Sequence, residues 1–240
     1  MPCTLRQAAD WLALGPFSTH DPETMIQGVS IDTRTLQPGD LFVALKGNAV
    51  DGHDCVQEAE AKGASCVLVE RPVKTGLPVL QVANTQQALG VLSAAWRAQF
   101  SLPVIGLTGS VGKTTVKEML VHLLSQAYSV LYSIGNQNNE IGLPLTLMRL
   151  SEKHQVAVIE MGARQGGDIA YLASLAKPTV GLITNIGVAH IEIFGGVERI
   201  AAAKTELFAA LPPAGTAVLA MDDPHLAPWA ERLTVSRCIQ

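Results

Sequence analysis

The chain has 240 residues, 48% of them hydrophobic and 16% charged, with a formal net charge of −4. That length accommodates one large domain or two smaller ones, each with a core of its own, and the low charge content excludes long disordered stretches. The mild acidity gives no general electrostatic reason to bind nucleic acid or an anionic membrane, so an anionic ligand must be held locally.

The N-terminus, Met1-Pro2-Cys3-Thr4-Leu5-Arg6, lacks a basic region followed by a long apolar core. No uninterrupted apolar run elsewhere could span a bilayer, which predicts a cytoplasmic protein without membrane insertion. Cys3, Cys55, Cys66 and Cys238 are scattered, with no C-x-x-C pair, and read as free thiols in a reducing compartment. From Thr4 to Leu14 the residues Leu5, Ala8, Ala9 and Leu12 share one helical face, Thr4 is placed to cap it, and Gly15-Pro16 ends it. Strands are expected at 29–32 and 40–45, a helix at 54–62 stopped by Gly63, and strands at 66–69 and 79–82. These elements predict a small α/β domain over residues 1–84. Its loops Asp32-Thr33-Arg34, Lys46-Gly47-Asn48 and Asp51-Gly52-His53 put polar side chains at strand ends, where a ligand could be held. By periodicity alone, Arg34 and Lys46 read as solvated charges and His53 as a helix cap.

Ala88, Leu89, Leu92, Ala95 and Trp96 recur at helix spacing from Thr85 to Phe100, and this segment is taken to open a second domain, 85–240. The apolar run Val104–Leu107 then leads into Thr108-Gly109-Ser110-Val111-Gly112-Lys113-Thr114-Thr115, followed by Val116, Met119, Leu120, Leu123 and Leu124 at helical spacing. Strand, glycine turn and helix in that order form a phosphate cradle. Gly109 and Gly112 let successive N–H groups face an anion, and the helix N-terminus adds partial positive charge. Lys113 can reach terminal phosphates, and Thr114 can ligate the Mg²⁺ of a nucleotide triphosphate. The longer G-x-x-x-x-G-K-[ST] pattern has glycine where Leu107 stands, so the motif here is the shorter T-G-x-x-G-K-T-T.

Further strands are expected at 130–132, 156–160, 180–184 and 217–220, with a polar loop at 135–142, a helix beyond Pro144 and another from Ile200 to Leu211 carrying Lys204. The strand 156–160 delivers the Glu160 carboxylate at its C-terminal end, where open parallel sheets face their ligand crevice, and Glu160 can serve Mg²⁺ opposite Lys113 and Thr114. His190 follows another such strand end. The alternation of strands and helices predicts an α/β fold, with the small N-terminal domain followed by a mostly parallel, doubly wound phosphate-loop domain that lacks a closing element before Gln240. The residues alone thus give a Mg²⁺-nucleotide domain joined to a small α/β domain, with its chemistry open.

The set Thr108-Gly109-x-x-Gly112-Lys113-Thr114-Thr115, Gly135-Asn136-x-Asn138-Asn139-x-Ile141-Gly142-x-Pro144, Ile159-Glu160-Met161-Gly162-Ala163 and Asn185-x-x-x-Ala189-His190 closely resembles the Mur ligases of peptidoglycan synthesis. Ser30-x-Asp32-Thr33-Arg34 and the stretch Gly39–Gly47 extend the resemblance to the first domain. The Asn-Asn-x-Ile-Gly loop and the Glu-Met-Gly-Ala strand end point within the family to the ligase that adds D-alanyl-D-alanine to a UDP-N-acetylmuramoyl-tripeptide. The resemblance implies ATP and Mg²⁺ as cofactors, with nucleotide binding by Gly109, Ser110, Val111, Gly112, Lys113, Thr114 and Thr115. It implies catalytic roles for Lys113, Glu160, His190 and Lys204, one Mg²⁺ on Thr114 and Glu160, and a second on His190 and a carbamylated Lys204. It further places Thr33, Arg34, Lys46 and His53 near the UDP-sugar and Asn138 and Asn139 in the crevice between substrates; a monomer is expected. The family often has asparagine where Ala220 stands, and it carries a third, C-terminal domain beyond the length of this chain; a partial, weakly active or inactive enzyme is therefore expected. A sibling ligase with another amine substrate, a different phosphate-loop kinase and a non-catalytic nucleotide-binding module remain as alternative readings.

Overall fold

The computed structural model describes residues 1–240 except 16–19, 48–49, 188–190, 234, 236 and 240, with backbone alone at 191, 193 and 237–239. The statements of architecture below concern the described residues.

In the first unit, β1 (Cys3–Thr4) leads directly into α1 (Leu5–Trp11). The Thr4 hydroxyl accepts a hydrogen bond from the Gln7 amide at 3.2 Å, and the Gln7 side chain accepts one from the Thr4 amide at 2.9 Å. This reciprocal pair satisfies two amides that a helix start leaves without partners, and it bears out the expected cap. The strand β2 (Met25–Ile26) pairs antiparallel with β1. Next come β3 (Gly28–Ser30), β4 (Asp40–Val43), a 3-10 turn over Gly52–Cys55, α2 (Val56–Ala61), β5 (Cys66–Val69) and β6 (Val79–Gln81). The strands β3-β4-β5-β6 lie side by side in sequence order and all parallel. Every residue of β4 and β5 is buried, which explains their uninterrupted apolar runs: a parallel sheet covered on both faces has no solvent side to alternate with. Leu36, Phe42, Ala44, Val56, Ala59, Ala64, Val67 and Val69 form a core cluster in this unit.

The chain then enters α3 (Thr85–Arg97). The two compact units are Met1–Trp96 and Arg97–Gln240, so the division falls one helix later than the boundary expected near Asn84. The reason lies at the helix start. The Thr85 hydroxyl donates to the Ala44 carbonyl at 3.0 Å and the Thr85 amide to Glu70 Oε1 at 2.9 Å, which ties α3 to the first unit.

The second unit holds β7 (Val104–Thr108), α4 (Lys113–Leu124), β8 (Val130–Tyr132), α5 (Gly142–Leu147), β9 (Val156–Glu160), α6 (Asp168–Ala176), β10 (Val180–Ile183), α7 (Ile191–Phe194), α8 (Val197–Ala209), β11 (Thr216–Leu219) and β12 (Arg237–Ile239). Its sheet runs β12-β11-β10-β7-β9-β8, every pair parallel, as the doubly wound reading requires. The strand order reverses around β7, which lies between β9 and β10. In such sheets the ligand crevice opens outside the C-terminal strand ends at that reversal. Thr108, Glu160 and Ile183 end the three strands there, with Leu107 paired to Glu160 and Thr108 to Ile183.

The short elements β1, β2 and α7, the helix α6 and the strand β12 were not foreseen. The N-terminus of α6 has no cap from its own residues; Glu206 of α8 supplies it, accepting from the Gly167 amide at 2.7 Å and the Ala170 amide at 2.9 Å. The buried face of α4 also differs from the apolar stripe expected. Met119 and Leu123 are 60% and 65% exposed, whereas Lys117 and Val121 are buried. Among the described residues no helix is long and apolar enough to cross a membrane, and Cys3, Cys55 and Cys66 are free thiols.

Candidate functional site

In the second unit the loop between β7 and α4 is shaped by two glycines. Gly112 precedes the helix at φ 78°, in the left-handed region, and offers no side-chain cap to the amides that open α4. Gly109 sits at φ 153°, and a Cβ there would collide with the Thr184 hydroxyl. An uncapped helix start at the end of the central strand presents N–H groups and partial positive charge to an anion.

The segment after β10 braces this loop. Asn185 accepts from the Ser110 amide through its carbonyl and from the Val111 amide through Oδ1, both at 3.1 Å. The Thr184 hydroxyl donates to the Val111 carbonyl at 2.7 Å, and Ser110 Oγ accepts from the Gly187 amide at 2.8 Å. Asp223, beyond β11, fixes the brace in turn by accepting from the Ile186 amide at 2.6 Å. Ser110 and Val111 therefore shape the loop, while the amides opening α4 face the crevice. Thr184 and Asp223 were missed as supporting residues, and Asn185 was singled out only as part of a motif; their position just past strand ends was the available signal.

Lys113 curls back so that Nζ donates to the Gly109 carbonyl at 2.8 Å and the Ser110 carbonyl at 3.4 Å. Lys204, buried on α8, donates to the same Gly109 carbonyl at 3.0 Å. Burial, and next the nearby Lys113 charge, bring the Lys204 ammonium down to about 8 from its ordinary 10.5. Two cations thus converge on one carbonyl, an arrangement suited to receiving negative charge.

Across the crevice, Glu160 is 1% exposed. Its Oε2 accepts from the Thr114 hydroxyl at 3.2 Å and its Oε1 from Asn138 Nδ2 at 2.7 Å. A hydroxyl and a carboxylate oxygen this close form the kind of hard-oxygen pair that fits Mg²⁺. Among the described residues no three His, Cys, Asp or Glu side chains cluster to hold a metal, and His190 lies outside the described residues. Asn139 Oδ1 accepts from the Ile141 and Gly142 amides at 3.3 and 2.8 Å, at the start of α5. These bonds give Asn139 a capping role.

The first unit also gathers its expected residues at the C-terminal edge of a parallel sheet, but most are already engaged. Arg34 is paired with Asp32, Nη2 to Oδ2 at 2.6 Å, while its side chain remains 84% exposed. The Arg34 guanidinium holds the Asp32 carboxyl down at about 2. Thr33 is buried, and its carbonyl accepts from Lys62 Nζ at 2.9 Å. Lys46 is exposed and bridges to Asp51 through the backbone. The His53 side chain is 3% exposed, Nδ1 meets Asp51 Oδ1 at 2.6 Å, and Nε2 accepts from the Glu70 amide at 2.8 Å. Both ring nitrogens are thus committed to the protein, and His53 shapes the loop.

Comparison with known proteins follows the same division. The description "Mur ligase family, catalytic domain" matches residues 25–107, and "Mur ligase middle domain" matches 107–239. The UDP-N-acetylmuramoyl-tripeptide–D-alanyl-D-alanine ligase of Synechocystis is 46% identical over 217 residues, covering 89% of this chain and 48% of that protein. A crystal structure of MurF from Acinetobacter baumannii superposes with a TM-score of 0.92 at 39% identity, covering 100% of this chain and 53% of the other. The MurF ligase of Thermotoga maritima, solved in complex with ADP, gives 0.82 at 36% identity over 89% of this chain and 49% of that one. The chain spans about half the length of the curated relatives it matches. With a middle-domain match that contains the braced phosphate loop, the Glu160 strand end and Lys204, the chain belongs to the Mur ligase family.

Proposed function

We propose that the protein serves ATP-dependent amide ligation in peptidoglycan synthesis, acting as a cytoplasmic monomer in the joining of D-alanyl-D-alanine to a UDP-N-acetylmuramoyl-tripeptide. The observation that carries this reading is one crevice in which an uncapped helix start, Lys113 and the Thr114–Glu160 oxygen pair converge, in a chain 46% identical to a ligase of that name. A free carboxylate is a poor electrophile, and ATP supplies the leaving group. A carboxylate oxygen of the tripeptide attacks the γ-phosphorus and ADP departs. The amine nitrogen of D-alanyl-D-alanine then attacks the acyl carbon, inorganic phosphate leaves and the nitrogen loses a proton.

Residues of this chain meet the physical needs of that sequence. The first step brings two anions together, so cationic groups must offset their repulsion. The amides opening α4 and the Lys113 ammonium bind the phosphates, with Gly109, Ser110, Val111, Gly112 and Thr115 completing the cradle. Thr114 and Glu160 would hold Mg²⁺, which neutralises phosphate charge and aligns the transfer when bound. Asn138 keeps the Glu160 carboxylate turned toward Thr114. Lys204, with its lowered proton affinity, supplies an amine that can attack carbon dioxide, lose a proton and become an anionic carbamate; with His190 that group would serve a second cation. In the first unit the exposed Arg34 guanidinium has donors beyond those used by Asp32 and, with Lys46 and the Thr33 turn, meets the UDP moiety.

Calorimetric titration of the folded chain with Mg²⁺-ADP and, separately, with UDP-N-acetylmuramoyl-tripeptide tests this. Both should bind, and Arg34→Ala should weaken only the second. A folded chain that binds neither overturns the reading. Trial of other amino-acid amines in a ligation assay separates it from a sibling ligase.

A further inference from the structure

The helix that opens at the phosphate loop carries a second buried cation, which the mechanism above leaves unused. Lys117 lies one turn beyond Lys113 on the inward face of α4 and is 0% exposed. Its Nζ donates to the Ser133 carbonyl at 2.9 Å and the Gly135 carbonyl at 3.2 Å, and meets Glu118 Oε1 at 3.1 Å. Glu160 Oε2 stands 3.9 Å away. An ammonium taken wholly out of water costs several kcal/mol unless charge and hydrogen bonds offset it, so its place in the fold calls for a physical reason.

The contacts around it supply one. The segment 133–138 fastens the end of β9 at three points: the Glu160 amide donates to Ser133 Oγ at 3.1 Å, Asn138 Nδ2 donates to Glu160 Oε1 at 2.7 Å, and the Gly162 amide donates to the Asn138 carbonyl at 2.7 Å. Lys117 fastens that same segment to α4. The helix bearing Thr114, the segment bearing Asn138 and the strand end bearing Glu160 therefore meet at one ammonium group. We propose that Lys117 is a positioning residue for metal-dependent nucleotide binding, setting the Glu160 carboxylate against Thr114 through the 133–138 segment and its own charge.

This inference rests on the nucleotide and Mg²⁺ reading given above, and its test separates the two. ADP affinity of wild type and Lys117→Met is measured by calorimetry in Mg²⁺ and again in EDTA. Lys113 and the α4 amides are untouched by the substitution, so binding in EDTA should stay within about threefold, while binding in Mg²⁺ should fall at least tenfold. Asn138→Ala, which removes another hold on Glu160, should show the same selective loss, and the two substitutions together should lose less than the product of the single effects. A folded Lys117→Met protein with an unchanged Mg²⁺ effect, or with equal losses in both buffers, overturns the inference. If Lys117→Met does not fold, wild type decides: a slowly exchanging Lys117 ammonium resonance that shifts when Mg²⁺ joins the ADP complex supports the role, and an unmoved one refutes it. Wild-type binding that is indifferent to Mg²⁺ instead removes the metal reading, and the inference with it.

Discussion

Both units gather polar residues at the C-terminal edge of a parallel sheet, yet they dispose of them in opposite ways. In the first, one edge of Arg34 is paired with Asp32, His53 with Asp51 and the Glu70 amide, and the Thr33 carbonyl with Lys62. In the second, α4 starts without a cap, two lysines crowd the Gly109 carbonyl, and a carboxylate faces a hydroxyl. The first edge is largely paired within itself, with only exposed donors such as the outer Arg34 nitrogens left over; the second is assembled to receive charge. A residue of the right chemical type at a strand end is therefore only half an argument, because the other half is whether its hydrogen-bonding capacity is already used.

The sharpest way to break this contrast is at the phosphate loop. Lys113→Met should weaken ADP binding roughly 10- to 100-fold, the worth of a charged hydrogen-bonding partner, with little change in the unfolding midpoint; calorimetry and a urea melt report both. His53→Ala should do the reverse. Removing a buried ring that satisfies two groups should cost about 2–3 kcal/mol of stability, while ADP affinity in the second unit stays unchanged. If His53→Ala leaves stability intact, the polar pairs of the first edge do not hold its loops in place.

Lys204 gives a pH-dependent test. Its folded value of about 8 lies below the ordinary 10.5, so between those values the unfolded chain binds more protons, and stability contributed at this site rises with pH. In carbon dioxide-free buffer, Lys204→Met should be more stable than wild type at pH 7, and that advantage should shrink as pH climbs from 8 to 10. A constant difference would deny the burial cost. A smaller effect is expected at Asn139→Ala, where losing the cap of α5 should cost about 1 kcal/mol. Smallest of all, Arg34→Ala should change stability by no more than about 0.5 kcal/mol, as for an exposed surface pair, even though it weakens the proposed UDP-sugar contact.

The parts legible in the sequence were those encoded locally. The run Val104–Thr108, the two glycines and the helix beyond them announce a phosphate loop, and the apolar strand ending in Glu160 announces a carboxylate at the sheet edge. Lys117 escaped notice because periodicity treats a lysine in a helix as solvated, and its partners at 133 and 135 belong to another segment. The burial of His53 was equally invisible locally: the amide that fills its Nε2 lies 17 residues away. Met119 and Leu123 fit an apolar stripe and yet face solvent, since the inward face of α4 is set by the charged knot beneath it. The helix α6 carries Ile169, Leu172, Ala173 and Ala176 on its buried face, a pattern present in the sequence, but its start is capped by Glu206 from α8 and by nothing nearby.

The phosphate loop also has a history in time. Its motif occupies a few consecutive residues, but the contacts that fix its shape come from far along the chain: Ser110 to Gly187 across 77 positions and Lys204 to Gly109 across 95. Contacts of such long range form only after extensive chain closure. During synthesis, the ribosome must therefore release residues beyond Lys204 before the loop acquires its final form. On the proposed function, nucleotide capture is then a late event in maturation, and a nascent chain that holds ADP would already have completed most of its second unit.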